Sequence, residues 1–459
     1  MRTTFRMFAT FSVVLVTITV SARADDPAPP PGATTQPYVT WQEYQRVLQE
    51  QREMRQELDA LKKQIATQPA PVAVAPAPEA PNKPAVAEST APTNEELEQE
   101  IKILKDMTDR DRLGLEKVVI SGDADVSFTS QKGANSAFSA GVAPLILWKP
   151  TDQFLFEAAF DIGIETDDTN TSSTSFDLTI AEGSFIVNDY LIVGGGLFTT
   201  PFGTYHNHFD PPWINKFPDD PLAFGDSAIA PEHAVGAFAR GAIPISTTKV
   251  TYDVYVSNGP NLITTDPDAA GQLNFDEFSD LNNNKAVGGR IGFLPVPNME
   301  MGYSVMGAQV NPNHFETTYA LFNAVDLNYR QVVDPLYGTF DFRTEWTWSN
   351  VDRATYDSDS SLGFGPATFR NNRNGGYVQL LYRPTKSDVE FVRNLEFGVR
   401  YDRLASPLGA PGGDRESRVT LGIDYWLTPS LVFKTAYEID DKKVGENQNA
   451  FLMQLGIGL

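Results

Sequence analysis

The side chains of this 459-residue chain best suited to chemistry are gathered in one stretch, Thr200–Glu232. It holds His206, His208, Asp210, Lys216, Asp219, Asp220, Asp226 and Glu232, with His233 just beyond. In extended backbone, His206-x-His208 would turn both imidazoles to one side with Asp210 adjacent, the donor types of a transition-metal site. Two ligands without a dependable third and fourth do not make such a site, so histidines packed among aromatics is the preferred reading. No metal and no cofactor is expected. The chain has no cysteine, which removes disulfides, thiolate nucleophiles and Cys-ligated metals together. It also lacks a Gly-x-Ser-x-Gly elbow, a phosphate-binding Walker loop and a His-Glu-x-x-His helix, so it is not expected to be an enzyme.

The same stretch is unusually apolar. Phe202, Tyr205, Phe209, Trp213, Ile214, Phe217, Leu222 and Phe224 stand among its charges, with many prolines. Exposed apolar surface of that extent associates or folds away. What it can fold against is set by the elements on either side.

From Val118 to Leu459, about sixteen short segments alternate apolar and polar residues with a period of two. The joints between them alternate too. Short ones fall at 149–152, 188–189, 246–248, 295–298, 332–335 and 428–430. Long ones fall at 166–173, 200–232, 259–285, 349–373 and 404–416. An even strand count, tight turns at one end and long loops at the other describe an all-β, sixteen-stranded antiparallel transmembrane β-barrel. Thr200–Glu232 then joins the fifth and sixth strands. Folding it back inside would narrow the lumen, making it a constriction loop.

The strands have two plain faces. In Leu336–Trp348, one carries Phe340, Phe342, Thr344, Trp346 and Trp348, and the other Thr339, Asp341, Arg343 and Glu345. A sixteen-stranded barrel is too wide for side chains to fill, so the apolar face belongs outside and the charged face lines water. Trp148, Trp346, Trp348, Tyr425 and Trp426 near strand ends suit interfacial girdles. Lumen-facing charges include Glu157, Asp161, Arg240, Asp253, Arg290, Asp326, Asp341, Arg343, Glu345, Arg400 and Asp402. With Tyr205, His206, His208, Asp210, Trp213, Lys216, Asp219, Asp220, Asp226 and Glu232 of the loop, they form the expected pore and constriction set. Acids outnumber bases on these faces, which favours cations, although many charges can pair across strands and merely keep the wall wet. Acidic pairs on such a wall do not by themselves suggest a glycosidase.

The first 116 residues read differently. Residues 1–24 form a secretory signal: Arg2 and Arg6, an apolar run Met7–Val20, and the small-x-small pattern Ala22-Arg23-Ala24. A Pro-rich start leads into a helix at 41–66. There Tyr44, Val47, Gln51, Met54, Leu58, Leu61 and Ile65 mark the seam of a coiled coil, which self-association would bury. An Ala/Pro linker (67–92) could reach up to roughly 80 Å as polyproline II. A short helix follows within 93–116, opened by a Thr93/Glu96 capping box, and the barrel occupies 117–459. The formal charge of −23 argues against nucleic acid as a partner.

Gly195-Gly196-Leu197-Phe198-Thr199-Thr200-Pro201-Phe202-Gly203, followed by Trp213-Ile214-Asn215-Lys216, resembles the run into the constriction loop of Gram-negative outer-membrane porins of the phosphate-selective porin superfamily. Gly376-Tyr377-Val378-Gln379, Leu395–Tyr401 and Leu421–Trp426 resemble their late strands. The resemblance implies a sixteen-stranded, commonly trimeric channel for passive passage of small hydrophilic solutes or ions. It implies outer-membrane lipid as the surroundings, with the N-terminal arm in the periplasm. Two departures stand out: no concentrated Arg/Lys path that would select phosphate, and Leu459 where a final Phe is usual. The expectation is a cation-leaning porin. The alternative is a plugged barrel that anchors the envelope, its arm gripping the cell wall.

Overall fold

The computed structural model describes residues 117–459 except 167–171, 226–228, 265–269, 276–278, 314–315, 357–366 and 411–412. The signal, coiled-coil helix, linker and short helix expected over 1–116 lie outside the described residues, as does Asp226.

Eighteen strands follow in chain order: β1 (Val118–Gln131), β2 (Ala137–Thr151), β3 (Phe154–Thr166), β4 (Ser172–Asn188), β5 (Leu191–Thr199), β6 (His233–Ile245), β7 (Thr248–Ser257), β8 (Asn261–Leu262), β9 (Leu273–Asn274), β10 (Ala286–Val296), β11 (Met299–Gln309), β12 (Tyr319–Val333), β13 (Gly338–Tyr356), β14 (Ala367–Arg383), β15 (Leu395–Ala405), β16 (Arg415–Thr428), β17 (Leu431–Lys442) and β18 (Ala450–Gly458). Sixteen of them close an antiparallel barrel in which β1 pairs with β18, while β8 and β9 form a small hairpin in the loop between β7 and β10. Closure leaves no unpaired edge, the condition a sheet must meet in lipid. The barrel strands run from 9 residues in β5 to 19 in β13. A tilted strand needs about 9–11 residues to cross hydrocarbon.

Strand register sets the two faces against each other. Phe342, Leu380, Val399, Leu421, Tyr437 and Phe451 are successive cross-strand partners from β13 to β18, a continuous apolar row round the outside. Leu421 is 51% exposed and Tyr437 46%. One residue along each strand, the row Arg343, Gln379, Arg400, Thr420 and Glu438 is buried on the inside. Burying each such apolar side chain is worth about 1.5–3 kcal/mol. A barrel that exposes them all round while enclosing its charges is built for an apolar exterior.

The expected short joints fall close to their places, but the long joint expected over 349–373 is narrower, because β13 runs on to Tyr356 and β14 begins at Ala367. Between β14 and β15 the connection runs over 384–394 and carries a helical turn at Glu390–Arg393. Trp426 also departs from expectation. It faces inward, 7% exposed, and its indole N–H donates to Glu396 at 2.7 Å. Its neighbour Tyr425 takes the outer face, so strand alternation sends Trp426 inside rather than into a girdle.

Candidate pore constriction

The described residues of 200–232 fold into the barrel and lie along the inner wall from β11 to β18. The attachment begins at the neck, where the Thr200 amide donates to the Glu232 carbonyl at 2.8 Å. The chain then turns through Gly203, whose φ of +68° suits a residue without Cβ. A side chain there would also run into Glu345. Beyond it the amides of Thr204 and Tyr205 both donate to Glu345 Oε2, at 2.8 and 2.9 Å, and the Gly203 amide donates to Ser304 at 2.9 Å. Glu345, expected to face the pore, instead holds the loop's first turn and is fully buried.

A π-helical turn at Tyr205–Phe209 follows. It overturns the extended geometry assumed for the histidines, because the turn separates them. His206 is buried between the rings of Tyr205 and Phe224, while His208 is exposed. The Tyr205 hydroxyl donates to Asp220 at 2.7 Å and accepts from the Asn215 amide at 3.1 Å. Phe198, Phe202, Tyr205, Phe224, Phe238 and Tyr377 form one aromatic core between loop and wall. That core accounts for the apolar residues that a polar loop would lack.

Further along, the wall is shaped to receive side chains. Gly398 and Gly422 face each other across β15 and β16 on the inner face. Phe217, with no exposed surface, is seated on both. A methyl group at either glycine would lie 2.9 Å from its ring. Glycine inside a strand weakens it unless something must approach closely, as here. The Arg400 guanidinium lies 4.9 Å from the same ring. Lys216 pairs with Glu396 at 3.1 Å and lies over the Trp426 ring. Arg343 donates to Asp341 at 2.9 Å and to the Ile214 carbonyl at 3.3 Å.

The loop's two acids are treated in opposite ways. Asp219 sits between Arg400 at 2.9 Å and Arg418 at 2.8 Å. Burial acts to raise its pKa, but these guanidiniums outweigh it and hold the carboxyl below the ordinary value. Burial pushes the Asp220 carboxyl up to about 7, Asp219 and Glu232 adding to the rise against the Tyr205 hydrogen bond.

The charges thus sort into two walls. Under the loop, bases are matched with acids: Arg290 with Asp326 and Glu300, Arg400 with Asp402 and Asp219, Arg418 with Glu416 and Glu438. On β1, β3 and β4 the inner face carries Asp123, Asp125, Glu157, Asp161, Asp177 and Glu182. Glu157 stands opposite Glu182, and Asp161 opposite Asp177. Among the described residues, the base bonded to this group is Arg240 on β6, at 2.9 Å from Glu182 and half exposed.

Asp123, Asp125, Asp177 and Glu182 are absent from the set drawn from the sequence. Asp123, Asp125 and Ser127 carry a period-two signal that could have found the first two. A register shift between Ala159 and Phe160 in the β3–β4 pair breaks the alternation that would connect Asp177 with Glu182. Of the expected set, Asn207's neighbour His208 presents itself most openly, Asp210 and Trp213 are half buried, and His206, Glu232, Arg290 and Asp402 are buried. Phe217, Gly398 and Gly422 are further residues that the alternation alone does not single out.

No protein-family model matches this chain, and no curated protein matches it. Solved structures of similar fold include Salmonella typhi OmpF in complex with daunomycin, at 9% identity, covering 74% of this chain and 97% of that one, TM-score 0.47. An anion-selective porin from Comamonas acidovorans aligns at 11% identity over 74% of this chain and 99% of that one, TM-score 0.46. The outer-membrane channel DcaP of Acinetobacter baumannii aligns at 11% over 74% and 97%, TM-score 0.42. Likeness at this level leaves the function to be argued from the site itself.

Proposed function

We propose that this chain is an outer-membrane porin, a water-filled channel for passive diffusion of small hydrophilic solutes or ions. The observation that carries the proposal is the Thr200–Glu232 loop, fixed along the polar inner wall of a barrel whose outside is apolar. A loop held on one side narrows the lumen without needing to fill it. Asn207 and His208, the exposed residues at the loop's first turn, are the ones that would border the passage left open.

The proposed selectivity is cation-leaning. On the inner faces of β1, β3 and β4 acids outnumber bases, and a surplus of acidic side chains along a lumen favours cations. Phosphate selectivity, which the sequence resemblance brings to mind, has no counterpart in such a wall.

The proposal extends to the rest of the chain. Residues 1–24 direct export, the coiled-coil segment at 41–66 favours self-association, and the family resemblance makes the homotrimer the assembly proposed. The linker at 67–92 gives the arm reach through the periplasm, towards the cell wall. Planar-bilayer conductance of the purified protein tests the channel. A folded barrel that never conducts would favour the plugged anchor instead.

A further inference from the structure

We propose that the neck of the constriction loop holds a binding site for a divalent transition-metal ion, formed by His206, Asp210 and Glu232. One ligand atom from each of these three side chains lies within 4.8 Å of the other two. Tetrahedral coordination with bonds of about 2.0–2.2 Å spaces ligand atoms by roughly 3.4 Å. Side-chain adjustments of about an ångström therefore close the site around an ion, without backbone rearrangement.

The three ligands come from both ends of the loop. The π-helical turn carries His206, and Asp210 closes it, its amide donating to the Tyr205 carbonyl at 3.1 Å. That puts the two side chains one turn apart on the same side. Glu232 arrives from the far end, fixed by the bond between its carbonyl and the Thr200 amide. His206 is 8% exposed and Glu232 7%. The His206 ring is oriented by edge contacts with Tyr205 and Phe224, at 5.4 and 5.7 Å between centroids. A held imidazole is pre-oriented for ligation.

The donor chemistry selects the class of ion. One imidazole with two carboxylates suits Zn²⁺, Fe²⁺ or Mn²⁺, whereas Ca²⁺ and Mg²⁺ favour all-oxygen shells. The electrostatics point the same way. Asp210 and Glu232 bring two carboxylates to the same imidazole within 4.8 Å, and a divalent cation is the charge that such a cluster attracts. His233 Nδ1 lies 3.6 Å from Glu232 Oε1, where it can orient the carboxylate from outside the ligand set. An ion there would brace the first turn of the loop against its last residue and so stiffen the constriction. Binding itself does not depend on the channel reading.

The test is a calorimetric titration of the full-length protein in detergent with Zn²⁺, paired with the visible spectrum of added Co²⁺. Folding is checked by the heat-dependent shift of the barrel on gels. The expected result is one ion per chain. His206→Ala, Asp210→Asn and Glu232→Gln should each weaken binding at least about tenfold and change the Co²⁺ bands, while His208→Ala leaves both unchanged. If a variant fails to fold, the near-isosteric Asp210→Asn and Glu232→Gln carry the comparison. The proposal is overturned if folded wild-type protein takes up no Zn²⁺ below millimolar concentration. It is equally overturned if binding survives the three substitutions combined in a folded barrel, or is lost with His208→Ala instead.

Discussion

Arg400 on the inner face of β15 reaches into the overlying loop to Asp219, 181 positions earlier in the chain, with Nη2 2.9 Å from Oδ1. The same guanidinium donates to the Asp219 carbonyl at 3.0 Å, to the Asp220 carbonyl at 3.2 Å and to Asp402 at 2.9 Å. It has no exposed surface. One side chain thus ties the loop's acidic tip to the wall through a planar fork that lysine does not reproduce.

Replacing Arg400 with Ala leaves Asp219 and Asp402 without their shared partner. Breaking a buried pair from one side costs about 3–5 kcal/mol. The barrel hydrogen bonds are untouched, so the loss should fall on loop docking. Single channels of Arg400→Ala should show larger, noisier currents than wild type, and Arg400→Lys should recover only part of the difference.

The seat of Phe217 gives a second handle. Gly398→Val or Gly422→Val would fill the space its ring occupies. Phe217→Ala should cost about 3–5 kcal/mol of packing. In each case the folded barrel should become cleavable by protease within 200–232, where the wild-type loop resists.

Proton uptake by Asp220 makes docking pH-dependent. Its folded value of about 7 lies above the ordinary 3.8. A raised acid stabilises the docked loop fully below the ordinary value, and that contribution is lost as pH rises through the folded one. Asp219 works in reverse: its pairing is present above the ordinary value and fades only in stronger acid. The loop should therefore hold best near pH 4 and loosen from about pH 4 to 7. Protease cleavage rates across that range should rise in the wild type and stay flat in Asp220→Asn.

Selectivity should reside in the wall away from the loop. The facing pair Asp161 and Asp177 puts two carboxyl groups at one level of the barrel. The double variant Asp161→Asn, Asp177→Asn should lower the cation-to-anion permeability ratio, read from the reversal potential in a salt gradient. An unchanged potential would place the selectivity elsewhere.

Much of this was legible in the residues because strand alternation is local. Phe342 beside Arg343, or Val399 beside Arg400, already states which side is wet, and the apolar content of 200–232 already states that the loop cannot hang in water. Its inner geometry was not legible. The π-helical turn that separates His206 from His208 has no periodic signature. The amides that Glu345 receives come from residues about 140 positions away, which no local pattern encodes. Gly398 and Gly422 were visible as small residues in a polar row, but a missing side chain does not say what fills its place. Trp426 stands near a strand end, as a girdle residue would, but the alternation of β16 turns it inward.

The measurement that bears most directly on the channel reading is single-channel recording of the purified, folded protein in a planar bilayer under a salt gradient. The account predicts discrete open steps and a reversal potential of cation-selective sign. A folded barrel that inserts but carries no current would contradict it and turn attention to the N-terminal arm.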